Sequence, residues 1–199
     1  MSDPDVIDLL AGLTPDSPLT AIRDRKPVTR RNAQESYRAL FEPAGAGEVT
    51  PQERFALAAF VSGLHGREEI MAFYAAGLAR AAPPEGFTAA LSAEIALGRA
   101  AGPYGAYPRG PLSVEDAAGP LYRVAETHRA VLGARMTAAL AHVHMLVFHP
   151  RDASAAALQS LLDMGWTNGG IVTISQLVAF LAFQIRAVAG LRTLAAASA

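Results

Sequence analysis

Residues 171–185, IVTISQLVAFLAFQI, carry no charge and stop at Arg186. Wound as a helix, this run is apolar on nearly every face, so it must be covered all round by a core or by a second subunit. It is shorter than the ~20 residues a bilayer span needs, and Gln176 and Gln184 interrupt it, so no membrane span is expected. The remaining chain therefore has to build a core around it. With 199 residues there is enough chain for one domain with a substantial interior. An apolar share of 51% against 18% charged excludes disorder. That much apolar surface also leads us to expect self-association into a homo-oligomer.

Nothing suggests a sheet to supply that core. No alternating Val/Ile/Thr runs are joined by Asn-Gly or Asp-Gly turns, and Ala dominates the sequence. The expectation is an all-α chain. Short helices are read at 3–11 and 18–26, and a third at 29–41 with Ala33, Tyr37, Leu40 and Phe41 on one face. Thr50-Pro51-Gln52-Glu53 puts Thr at an N-cap, Pro at the first helical position and Glu at the third, a capping box with the preferred proline. That helix runs to about Leu64, breaking near His65 between Gly63 and Gly66. Helices follow at 67–81, 87–101, 120–131 and 134–148, then at 155–164 with Asp152 or Ser154 as cap. The last starts at Thr167 or Asn168 and runs to about Ala195. Residues 102–119 are rich in Gly and Pro and read as a loop, either a plain connector or a cover over a pocket or neighbouring subunit. Tyr104 and Tyr107 lie in it.

Composition excludes several chemistries. There are no cysteines, which removes disulfides, thiolate metal sites and thiol nucleophiles. The net charge of −1 gives no field to attract nucleic acid. The acidic start lacks the basic region and apolar core of a signal peptide, so a cytoplasmic location is expected. The basic run Arg23, Arg25, Lys26, Arg30, Arg31 is read as a solvated face.

The polar candidates each have two readings. Glu53 is a general acid–base candidate or simply the acid of the capping box. His65 is a base or a helix-end residue. His142, His144 and His149 are spaced by two, five and seven, not by the four that places two ligands on one helix face. No metal site is expected, and no cofactor. Gln184 and Arg186 sit in the most apolar helix and, with His142, are the candidate pocket residues for a small-molecule ligand. The alternative for Arg186 is an ion pair with Asp163, Glu53 or a partner subunit, because a buried guanidinium must be paired.

Two stretches resemble the AhpD-like (carboxymuconolactone decarboxylase) family. One is residues 53–81, ERFALAAFVSGLHGREEIMAFYAAGLARA. The other is residues 158–194, where a short helix ends in Gly165-Trp166 and a long apolar helix carries an aromatic-x-x-Arg pattern at Phe183 and Arg186. The resemblance implies an orthogonal helical bundle over residues 48–199, with residues 1–47 an N-terminal helical extension of one domain. It also implies homo-oligomers and kinship with peroxide-defence oxidoreductases. The family's Cys-x-x-Cys falls, without gaps, on Arg67 and Ile70. Its His falls on Phe73 or Tyr74 and its acid on Phe55. A two-residue shift brings the acid to Glu53 and the cysteine positions to His65 and Glu68. No register yields a thiol, so thiol peroxidase turnover, which passes through a sulfenic acid, is not available. Glu53, His65 and Tyr74 remain the catalytic candidates around the vestigial motif. Three functions stay open: an AhpD-like protein tied to peroxide defence by kinship alone, a cysteine-independent acid–base enzyme on a small organic acid, and a non-catalytic binding or scaffold protein.

Overall fold

The computed structural model describes residues 5–45, 47–102 and 104–197. Among these the chain is all-α, with no strand and one isolated bridge between Gly105 and Ala117. The helices are α1 (Val6–Ala11), α2 (Pro18–Asp24), α3 (Pro27–Phe41), α4 (Pro51–Leu64), α5 (Glu68–Arg80), α6 (Phe87–Gly98), α7 (Glu126–Phe148), α8 (Ala155–Asp163) and α9 (Asn168–Ala197). A short 3₁₀ turn, Pro111–Glu115, lies in the loop before α7.

The starts follow their caps. Asp5 accepts from Ile7 N at 2.8 Å, and Ser17 caps α2 ahead of Pro18. At α4 both halves of the capping box are formed: Glu53 N donates to Thr50 Oγ1 at 3.2 Å, and Thr50 N donates to Glu53 Oε2 at 2.8 Å. Ser154, not Asp152, caps α8. Thr167 accepts from Gly170 N at 3.0 Å and opens α9. Gly133 interrupts α7 with φ 79° and ψ 157°, a conformation that suits glycine. The break falls between the two helices that the sequence suggests. The first of them begins at Glu126 rather than near 120, because a carboxylate from α6 holds the chain at Ala125 in extended form.

α4 is the central element. Ala56 to Val61 are buried on every side by α5, α6, α7 and α9. Two glycines set how closely these helices approach. A Cβ on Gly77 of α5 would strike the Phe55 ring of α4, and one on Gly63 would strike Ile95 of α6. The residues of the N-terminal extension join the same core through Val6, Ile7, Leu10, Tyr37 and Phe41. α7 and α9 are each long and apolar enough to cross a membrane by length and composition, longer than the charge-free run alone suggests. About half of each apolar window is buried inside the fold.

The basic run is not a uniform solvated face. Arg23 and Arg30 turn inward and pair with Asp5 and Asp8 of the α1 start. Only Arg25, Lys26 and Arg31 fit the solvated reading.

Candidate functional site

Arg67 and Ile70 are the positions where the AhpD-like resemblance sets a cysteine pair. Arg67 is the N-cap of α5 and Ile70 its third residue, so both stand at a helix start. Arg67 is exposed and Ile70 buried. A cleft of about 200 Å³ lies outside them, bounded by Gly66, Arg67, Glu69 and Ile70 and by Ile185, Val188 and Arg192 of α9. Arg192 closes one side by pairing with Glu69 and donating to the Leu10 carbonyl. Inward of this cleft the space is filled. The Tyr74 hydroxyl donates to Gln184 Oε1 at 2.6 Å with both side chains fully buried. Burial pushes the Tyr74 phenol well above its usual range.

The other sequence candidates disperse. Glu53 is committed to its cap and to Arg135 at 2.6 Å. Arg135 also donates to the Glu48 and Gly165 carbonyls and lies 3.7 Å over the Trp166 ring. That assembly ties the start of α4 to α7 and to the α8–α9 turn. His65 is half-buried; burial, then the nearby Arg186 and Arg67 charges, hold its pKa below the ordinary imidazole value. Arg186 forms no ion pair with Asp163 or Glu53. It is exposed and donates to the Ala182 carbonyl at 2.8 Å. The reason is register: two residues along a helix separate Gln184, which faces the core, from Arg186, which faces out. The two cannot share a pocket. His142 is buried on α7 with neither ring nitrogen bonded to a described residue, and burial lowers its pKa.

His144 and His149 do meet, at 6.0 Å between ring centres. His144 bonds the Gly98 carbonyl through Nε2 at 2.9 Å, and His149 bonds Asp152 through Nδ1 at 2.9 Å. Among the described residues no group of three or more His, Asp or Glu side chains is arranged to hold a metal ion. Tyr107 lies 3.4 Å under the Arg151 guanidinium, and Tyr104 packs against the core edge, so this loop is pinned to the α7 end.

The most concentrated polar centre involves residues that none of these expectations named. Glu94 of α6 is fully buried. Its Oε2 accepts from the Tyr122 hydroxyl, and its Oε1 accepts from Ala125 N at 3.0 Å and contacts His128 Nδ1 at 2.5 Å. Tyr122 stacks on His144 at 4.6 Å and 18°, which joins this centre to the histidine pair. Burial, then the bond to Glu94 and its charge, drive the Tyr122 phenol far up, so it remains a donor. His128 is 24% exposed along its side chain. The Nδ1 that faces the carboxylate donates to it, which leaves Nε2 as the ring nitrogen available to a second partner. A carboxylate fixing the tautomer and orientation of a histidine is the arrangement that general acid–base catalysis uses.

One signal for this centre was present in the sequence. Phe87, Leu91, Glu94, Ile95 and Gly98 are spaced as one helix face, so Glu94 occupies a core position. Its partners are 28 to 34 residues away across a loop, and no local pattern marks them. No known protein family, curated protein or solved structure matches this chain.

Proposed function

We propose that the protein is a cysteine-free, AhpD-like chain that acts by general acid–base chemistry on a small organic acid, with His128 as the proton-transfer group. The observation that carries this reading is the buried Glu94 carboxylate 2.5 Å from Nδ1 of a partly exposed imidazole. Glu94 orients the ring and compensates the charge that develops when Nε2 takes a proton. Tyr122 and the Ala125 amide hold Glu94 in place, so the dyad is organised before substrate arrives. The resemblance to carboxymuconolactone decarboxylases, whose chemistry is proton transfer beside a carboxylate, suggests the substrate class. A role in peroxide defence by thiol turnover is set aside, because the chain contains no cysteine.

The test is solvent deuterium incorporation next to the carboxyl or keto group, across a panel of small keto acids and unsaturated lactone acids. Wild type should label at least one member, and His128→Gln should slow labelling by roughly 10²-fold or more. Labelling that His128→Gln leaves unchanged, or none above buffer across the panel, overturns the reading.

A further inference from the structure

One face of α9 has no covering inside the molecule. Its exposed positions from Val172 through Gln176, Ala179, Phe183 and Arg186 to Gly190 advance by alternating steps of four and three residues. These positions form one outward seam along the helix, apolar at Val172, Ala179 and Phe183 and polar at Gln176 and Arg186. Val172 is 54% and Phe183 44% exposed, so the row presents two large apolar side chains to solvent. Open hollows of about 480 and 380 Å³ flank this stripe, the first against α3 at Ser36, the second against α1 to α3 at Ile7, Ile22 and Ala33, with Lys26 and Arg30 also lining it. They leave room beside α9 for a neighbouring helix.

We infer that this face is the contact between two copies of the chain, with α9 packed antiparallel on α9 of the second copy about a twofold axis between Ala179 and Phe183. The seam is complementary to itself in that register. In an interface of this symmetry, residue i meets j while j meets i. Phe183 then lies over Ala179, a large ring over a methyl group, and Val172 over Gly190, where no Cβ obstructs it. Arg186 meets Gln176, so the one cation on the stripe finds the one amide oxygen able to accept from it. The stripe carries no carboxylate, and a copy of itself brings Arg186 an acceptor. From Val172 to Gly190 the seam spans roughly 27 Å at the α-helical rise, long enough for several interlocking layers.

The absence of native cysteines makes the test direct, because any introduced thiol is unique. Sedimentation should show wild type as a dimer at tens of micromolar. Phe183→Lys should weaken that dimer at least 100-fold while leaving the far-UV circular dichroism unchanged. An equal mixture of Ala179→Cys and Phe183→Cys chains should form an intermolecular disulfide under mild oxidant much faster than either variant alone, since only the mixed pair brings facing positions within disulfide reach. A wild-type monomer, a Phe183→Lys dimer of unchanged affinity, or single variants that cross-link as fast as the mixture would each overturn the inference.

Discussion

Two carboxylates, Glu53 and Glu94, organise two polar centres of this molecule, and they do so in opposite ways. Glu53 sits at the start of α4 with partners mostly at hand: Thr50 three residues back, and Arg135, whose guanidinium also bonds two backbone carbonyls. Every group in that assembly is engaged in holding helices together. Glu94 sits at the middle of α6 with no local partner and collects donors from a single distant segment, residues 122–128. One of those donors is an imidazole with a face left over. Proximity to a helix start makes a carboxylate a fastener. Full burial against an outward-facing histidine gives it something to do chemically.

The difference can be pushed hardest at the carboxylates' own anchors. Glu94→Ala strands the Tyr122 hydroxyl and the Ala125 amide in the interior and should cost about 3 kcal/mol in chemical denaturation. Thr50→Ala removes one side of a partly exposed cap and should cost about 1 kcal/mol. A Glu94→Ala penalty no larger than that of Thr50→Ala would mean that water reaches the Glu94 centre and that its burial is not what organises it.

A smaller effect concerns the imidazoles near the second centre. Burial holds His142 and His144 below the ordinary imidazole value. The unfolded chain therefore binds more protons than the folded one as pH drops from the unfolded value of about 6.5 toward those depressed values. The stability they contribute is complete above that pH and is lost below it. Thermal melts should show wild type losing stability between about pH 7.5 and 5.5, and His142→Leu losing less. Equal slopes would show that His142 takes up its proton in the fold as readily as it does unfolded.

How much of this was legible before the fold was known follows from the same contrast. The Thr50–Glu53 box could be read because its chemistry repeats at a fixed local spacing, and the α7 break appeared as the gap between the helices read at 120–131 and 134–148. The all-α character followed from the absence of any strand period. Glu94 left half a signal, a carboxylate on an apolar stripe, but Tyr122 and His128 needed the path of the 99–125 segment, which no local rule gives. Arg186 was read as a pocket residue beside Gln184 or as an ion-paired charge, because α9 is apolar on average, and within the chain it faces out. The average concealed a single outward row that only the packing of α3 and α4 against α9 defines. Gln184, two residues earlier, was read together with it and belongs to the opposite side.

The central claim is that Glu94 holds His128 with its proton on Nδ1 and its lone pair on an open Nε2. Nitrogen-15 NMR of the histidine side chains, recorded well above the imidazole titration range, reads this directly. Wild type should show His128 as the Nδ1–H tautomer, and Glu94→Gln should shift it toward the Nε2–H form common in free imidazoles. An Nε2–H tautomer in wild type, or a tautomer indifferent to Glu94→Gln, would contradict the account.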